Sequence, residues 1–138
     1  MFRINDVYKF QGKDYRLLKI SPYHIAWIDL NDPNANPFLI EKKEFIAAIE
    51  AGEAEIIEDP FANIALINVA EGSVQQEKRD TGMRIIELLI SHEHFYDPSI
   101  RFSLVKIIIE QHKTTHQTIY RLARRYWQRG QTPNALIP

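Results

Sequence analysis

The sequence predicts an α+β chain in which a small N-terminal β-rich roll or barrel precedes a three-helix domain of helix-turn-helix form. Three observations carry this expectation. Short aromatic and β-branched runs punctuated by turn residues occupy residues 1–60, whereas apolar residues at helical spacing, with recognisable start and stop signals, occupy residues 77–130. Charge divides the same way. Residues 1–60 hold seven Lys/Arg against eleven Asp/Glu, a balance of −4, and residues 61–138 hold ten against seven, a balance of +3.

Along the first unit, Val7–Phe10, Tyr15–Ile20 and His24–Leu30 read as strands. Gln11-Gly12-Lys13-Asp14 and Ser21-Pro22-Tyr23 between them have turn chemistry, so two successive hairpins follow. After the polar loop from Asn31 to Pro37, Phe38–Ile40 adds a strand, Lys42–Ala51 has helical spacing closed by Gly52, and Ala54–Glu58 returns as a last strand. Residues 61–76 mix apolar and turn-forming residues without clear period and are expected to be a connector.

In the second unit, residues 74–91 predict a first helix with Met83, Ile86, Leu89 and Ile90 on its apolar face. Gly82 opposes it, since an interior glycine costs ~1 kcal/mol relative to alanine. Asp97-Pro98 starts a second helix: the carboxylate accepts an orphan backbone N–H, and proline at the first helical position loses nothing by lacking one. That helix is expected to run to about His112. Thr115 caps a third helix, and Gly130 supplies the left-handed residue beyond its end. Residues 131–138 are expected to begin an extended linker.

Composition narrows the function classes. A hydrophobic fraction of 45% with 25% charged residues is that of a soluble globular protein. No apolar run approaches the roughly 20 residues that span a bilayer, so no membrane role is expected. With no cysteine there is no disulfide framework, thiolate nucleophile or zinc finger. The N-terminus lacks a signal-peptide profile, which makes an intracellular, cytoplasmic location the expectation.

The last quarter, Lys113–Pro138, carries one lysine, four arginines and no acid. On a helix from Thr115, Ile119, Leu122 and Tyr126 share one side and the arginines the other. Together with the preceding helix and the short turn at Lys113, this matches a helix-turn-helix, whose second helix enters the major groove of double-stranded DNA. His116, Gln117, Tyr120 and Arg121 are then placed at base edges or the groove wall, and Arg124, Arg125 and Arg129 at the phosphate backbone. Ser99 and Arg101, near the start of the second helix, are candidates for a flanking phosphate. Lys113 stands where many such turns carry glycine, so a different turn backbone is expected. Tyr126 and Trp127 read as packing rather than as stacking platforms.

Arg124-Arg125-Tyr126-Trp127-Gln128-Arg129-Gly130-Gln131-Thr132-Pro133-Asn134-Ala135-Leu136-Ile137-Pro138 resembles the stretch that closes the helix-turn-helix of TnsB-type, DDE-family transposase subunits of heteromeric cut-and-paste transposons. The resemblance extends more loosely through Ile4-Asn5-Asp6-Val7, Tyr15-Arg16-Leu17-Leu18 and Ile25-Ala26-Trp27-Ile28 to the β-rich opening of that family. It implies sequence-specific binding of repeated sites in transposon ends. For the parent protein it implies an endonuclease subunit and an ATPase regulator as partners, and work at the bacterial nucleoid. The family's RNase H-like catalytic core, with its three metal-binding carboxylates, is not expected within these residues, so the chain is expected to be a recognition fragment rather than an enzyme.

Other chemistry has little support. His92 and His94 are two apart, which on a helix separates their faces, and no carboxylate spacing beside them argues for a metal. His112 at a helix C-terminus complements the dipole. Gly12-Lys13 lacks the rest of a phosphate loop. No catalytic residue, cofactor or metal is assigned. A protein-interaction module of a DNA-processing complex and a helix-turn-helix transcription regulator remain open alternatives.

Overall fold

The computed structural model describes all residues, Met1–Pro138, which fall into two compact units, Met1–Ala62 and Asn63–Pro138. The first holds five strands, β1 (Val7–Phe10), β2 (Lys13–Ile20), β3 (His24–Asp29), β4 (Phe38–Glu41) and β5 (Ala54–Ile57), with helix α1 (Lys42–Glu50) between the last two. The strands form one antiparallel sheet in the order β4-β3-β2-β1-β5.

Local chemistry explains the turns. Gln11 and Gly12 both have positive φ, 53° and 78°, the backbone of a two-residue hairpin turn whose twist matches its strands. Gly52, at φ 74°, ends α1, where its N–H donates to the Ile49 carbonyl and that of Glu53 to Ala48.

Strand alternation then builds the core. Tyr15 and Leu17 of β2 and Ile25 and Trp27 of β3 point to one face and meet Phe45 and Ala48 of α1. Trp27 is the centre: Tyr15 stacks on it with centroids 4.2 Å apart, and Phe45 meets it edge-on at 5.5 Å. On the opposite face Arg16 is fully buried. Its Nη1 and Nη2 each donate to a different Asp59 carboxylate oxygen at 2.8 Å, and Nη1 also donates to the Asn5 carbonyl at 2.8 Å.

The second unit contains α2 (Val74–Ile90), α3 (Pro98–His112) and α4 (His116–Gln128), with short 3-10 turns at Ile64–Leu66 and Pro133–Leu136. Each long helix has a side-chain cap. Ser73 Oγ accepts from the Gln76 N–H, Asp97 Oδ1 from those of Ser99 and Ile100, and Thr115 Oγ1 from that of Thr118. Ile86 and Leu89 of α2, Leu104, Val105 and Ile108 of α3, and Ile119, Leu122 and Trp127 of α4 are buried between the helices.

Two expectations change here. Gly82 is not a weak point of α2 but a close approach: a Cβ there would lie 3.0 Å from Leu136 Cδ1 and 3.5 Å from Leu122 Cδ2. The tail expected to begin an extended linker instead folds back, burying Ala135 and Leu136. Asn134 Nδ2 donates to the carbonyls of Ile64, Ala65 and Ile67, and its Oδ1 accepts from Arg79 Nη1 at 3.0 Å. The same bonds tie Ile64–Ile67, expected within the connector, into the helical unit.

Candidate nucleic-acid interface

The turn joining α3 to α4 is three residues long, Lys113-Thr114-Thr115. Lys113 has φ 52° and ψ 45°, the left-handed conformation that glycine adopts most readily. The expected departure from the glycine-bearing turn is therefore corrected: the backbone takes the glycine-like conformation and the lysine bears its strain. Thr115 then stops the backbone in extended conformation and caps α4; its hydroxyl also bonds Thr118 Oγ1 at 3.0 Å.

α4 is strongly two-sided. Ile119, Leu122, Ala123 and Trp127 face inward, and Trp127 stacks on Phe95 at 5.7 Å, so the indole packs rather than meeting bases. His116, Gln117 and Arg121 are exposed, and no carboxylate occurs on the helix. Helical spacing places Gln117, Arg121, Arg124 and Gln128 along one outward stripe. Beside it the His116 and Tyr120 rings lie 4.7 Å apart, and the Arg124 guanidinium sits 5.0 Å from the Tyr120 centroid. In this ladder of side chains one turn apart, the Arg124 guanidinium lies over the face of the Tyr120 ring.

The cations differ in availability. Arg124 and Arg129 are half-buried and engaged in further contacts of the fold. Arg121 and Arg125 form no ion pair. Burial first, then the positive charges of Arg129 and Arg121, lowers the Arg125 pKa from its ordinary value. Such a half-desolvated guanidinium among like charges is stabilised by an incoming anion.

Ser99 lies exposed in the first turn of α3, with its N–H taken by Asp97. Arg101 does not join the surface set. It is 4% exposed, and its Nη1 donates to the Phe95 carbonyl at 3.1 Å, so the phosphate-contact expectation for this residue is corrected to a structural role. Its signal was present in the sequence, because Arg101, Leu104, Val105 and Ile108 share one helical face and that face is buried.

Thr118 and three residues of α2 carry no local sequence signal for this surface. Thr118, Arg121 and Arg125 share a groove of about 690 Å3 with Glu77, Lys78 and Thr81. No set of three His, Asp or Glu side chains converges as a metal site, and none of the helices is long and apolar enough to cross a membrane.

Comparison with known proteins agrees with both units. Residues 1–60 match the family model of the TnsB N-terminal SH3-like domain, and residues 79–138 match that of the TnsB second domain. The whole chain is 35% identical to the transposon Tn7 transposition protein TnsB of Escherichia coli, over 138 residues. It spans 20% of that relative's length.

Proposed function

This chain belongs to the TnsB family, carrying its N-terminal SH3-like and second domains, and we propose that it binds double-stranded DNA at the repeated sequences of transposon ends with α4 in the major groove. The observation that carries this reading is the outward stripe of α4. Gln117 and Arg121 are exposed on a helix without a single acid, presented by a capped three-residue turn from α3. A helix of this kind fills a B-DNA major groove; Gln pairs bidentately with adenine and Arg with guanine, while Arg125 and Lys113 neutralise backbone charge. The His116–Tyr120 ring pair, tilted at 53°, lies beside the stripe.

In the longer transposase this module brings the catalytic region to the transposon ends, with an endonuclease subunit and an ATPase regulator as partners of the parent, acting at the bacterial nucleoid. The chain itself serves recognition and not catalysis. Dimethyl sulfate interference tests the groove assignment. Methylation of guanine N7, which lies in the major groove, is expected to block binding at clustered positions in the end repeat. Interference confined to adenine N3, in the minor groove, would overturn it.

A further inference from the structure

The flank of α2 that lines the α4 groove carries polar side chains that the helix-turn-helix reading leaves without a task. Lys78 and Thr81, one turn apart on α2, face the same groove as Thr118, Arg121 and Arg125 of α4, over a floor that includes Gly82 and Leu122. Lys78, Arg121 and Arg125 form no ion pair, and Glu77, the one acidic side chain lining the groove, bridges to none of them. Thr81 Oγ1 accepts from Arg84 Nη2 at 3.1 Å, which leaves the Thr81 O–H available to donate. Thr118 Oγ1 likewise accepts from the Thr115 hydroxyl at 3.0 Å. Two hydroxyl donors and three unpaired cations thus converge on one concavity.

We propose that this groove clamps a backbone phosphate of the duplex that α4 reads, with Lys78 and Thr81 closing on it from α2 and Arg125 from α4, next to the base-reading Arg121. The inference rests on the DNA-binding reading and extends it to a second helix. Charge complementarity selects the occupant. Arg121 belongs both to the outward stripe and to the groove, so the positive surface is continuous between them, and a strand of the duplex flanks any helix seated in the major groove. The apolar floor suits the sugar that accompanies a phosphodiester, which free phosphate lacks.

Salt-dependent binding of the full 138-residue chain to a transposon-end duplex, repeated with single neutral methylphosphonate linkages, tests the clamp. Lys78→Ala is expected to flatten the log–log salt slope by ~0.9 and to make one otherwise damaging neutral linkage nearly harmless. Glu77→Gln is expected to tighten binding. Both residues are exposed on α2, and circular dichroism checks that the variants fold. An unchanged slope with strong binding, or full additivity at every linkage, would overturn the clamp and leave the α4 reading standing. Failure of the unmodified chain to bind either end or shuffled duplex at low salt would remove both.

Discussion

Gly82 of α2 lies so close to Leu136 of the C-terminal 3-10 turn that a Cβ at residue 82 would stand 3.0 Å from Leu136 Cδ1. Leu122 of α4 closes the same space at 3.5 Å, so α2 meets both the 3-10 turn and α4 at this glycine. The glycine therefore trades helix propensity for packing.

Gly82→Leu is expected to destabilise the helical unit by roughly 1–3 kcal/mol through overpacking. Gly82→Ala is expected to show less than the ~1 kcal/mol gain that alanine brings to an open helix site. Urea unfolding of the two variants checks both. A full propensity gain for alanine would mean that Leu136 yields without cost.

The turn before α4 gives a second pair of expectations. Thr115→Ala removes the acceptor for the Thr118 N–H and is expected to cost ~1 kcal/mol, whereas Thr115→Ser retains most of the stability. Lys113→Gly relieves a left-handed non-glycine residue, worth about 1 kcal/mol before glycine's added unfolded-state entropy offsets part of it. Thermal melts are expected to place Lys113→Gly at or above the parent and Thr115→Ala below it.

In the first unit the Arg16–Asp59 pair makes stability pH-dependent. Burial raises the Asp59 pKa, but hydrogen bonds from Arg16 and the Phe61 N–H, together with the Arg16 charge, outweigh it and hold the carboxyl below its ordinary 3.8. A depressed folded-state pKa contributes stability above the unfolded value and loses it as pH falls through the folded value. Melting of the first unit is thus expected to fall below about pH 4. Asp59→Asn is expected to flatten that decline. Asp59→Ala, which takes the carboxylate from a fully buried guanidinium, is expected to cost roughly 3 kcal/mol, and Arg16→Met less. A pH profile identical in Asp59→Asn and the parent would contradict this linkage.

Binding variants separate reading from holding. Gln117→Ala and Arg121→Ala are expected to cost ~1–3 kcal/mol on the preferred site and less on random duplex. Arg125→Ala is expected to weaken binding to every sequence and to reduce the salt slope by ~0.9. Equal losses on both duplexes for Gln117→Ala would remove it from base readout.

What the sequence revealed and what it hid divide along physical lines. Signals that act within a few residues were legible: Asp97 before Pro98, Thr115 before α4, Gly52 after α1 and the Gln11-Gly12 turn all mark element ends through local hydrogen bonds or backbone conformation. The two-sidedness of α4 was equally plain, because apolar and basic residues alternate with helical period. Features made by distant partners were not legible. The tail after Gly130 looks like linker until Asn134 meets carbonyls 67 to 70 residues away, and Gly82 looks like a flaw until Leu136 covers it. Arg101 reads as a surface cation by its charge alone, whereas its helical position puts it on the buried face of α3 with Leu104, Val105 and Ile108. Lys78 and Thr81 escaped notice because only the packing of α2 beside α4 brings them to the basic surface.

Fluorescence anisotropy of the 138-residue chain on a labelled transposon-end repeat and on a shuffled duplex of equal composition, across a series of salt concentrations, tests end recognition most directly. Tighter binding to the repeat, with affinity falling linearly on a log–log salt plot, is the expected result. Indistinguishable binding to the two duplexes, or none at low salt, would contradict sequence recognition by α4.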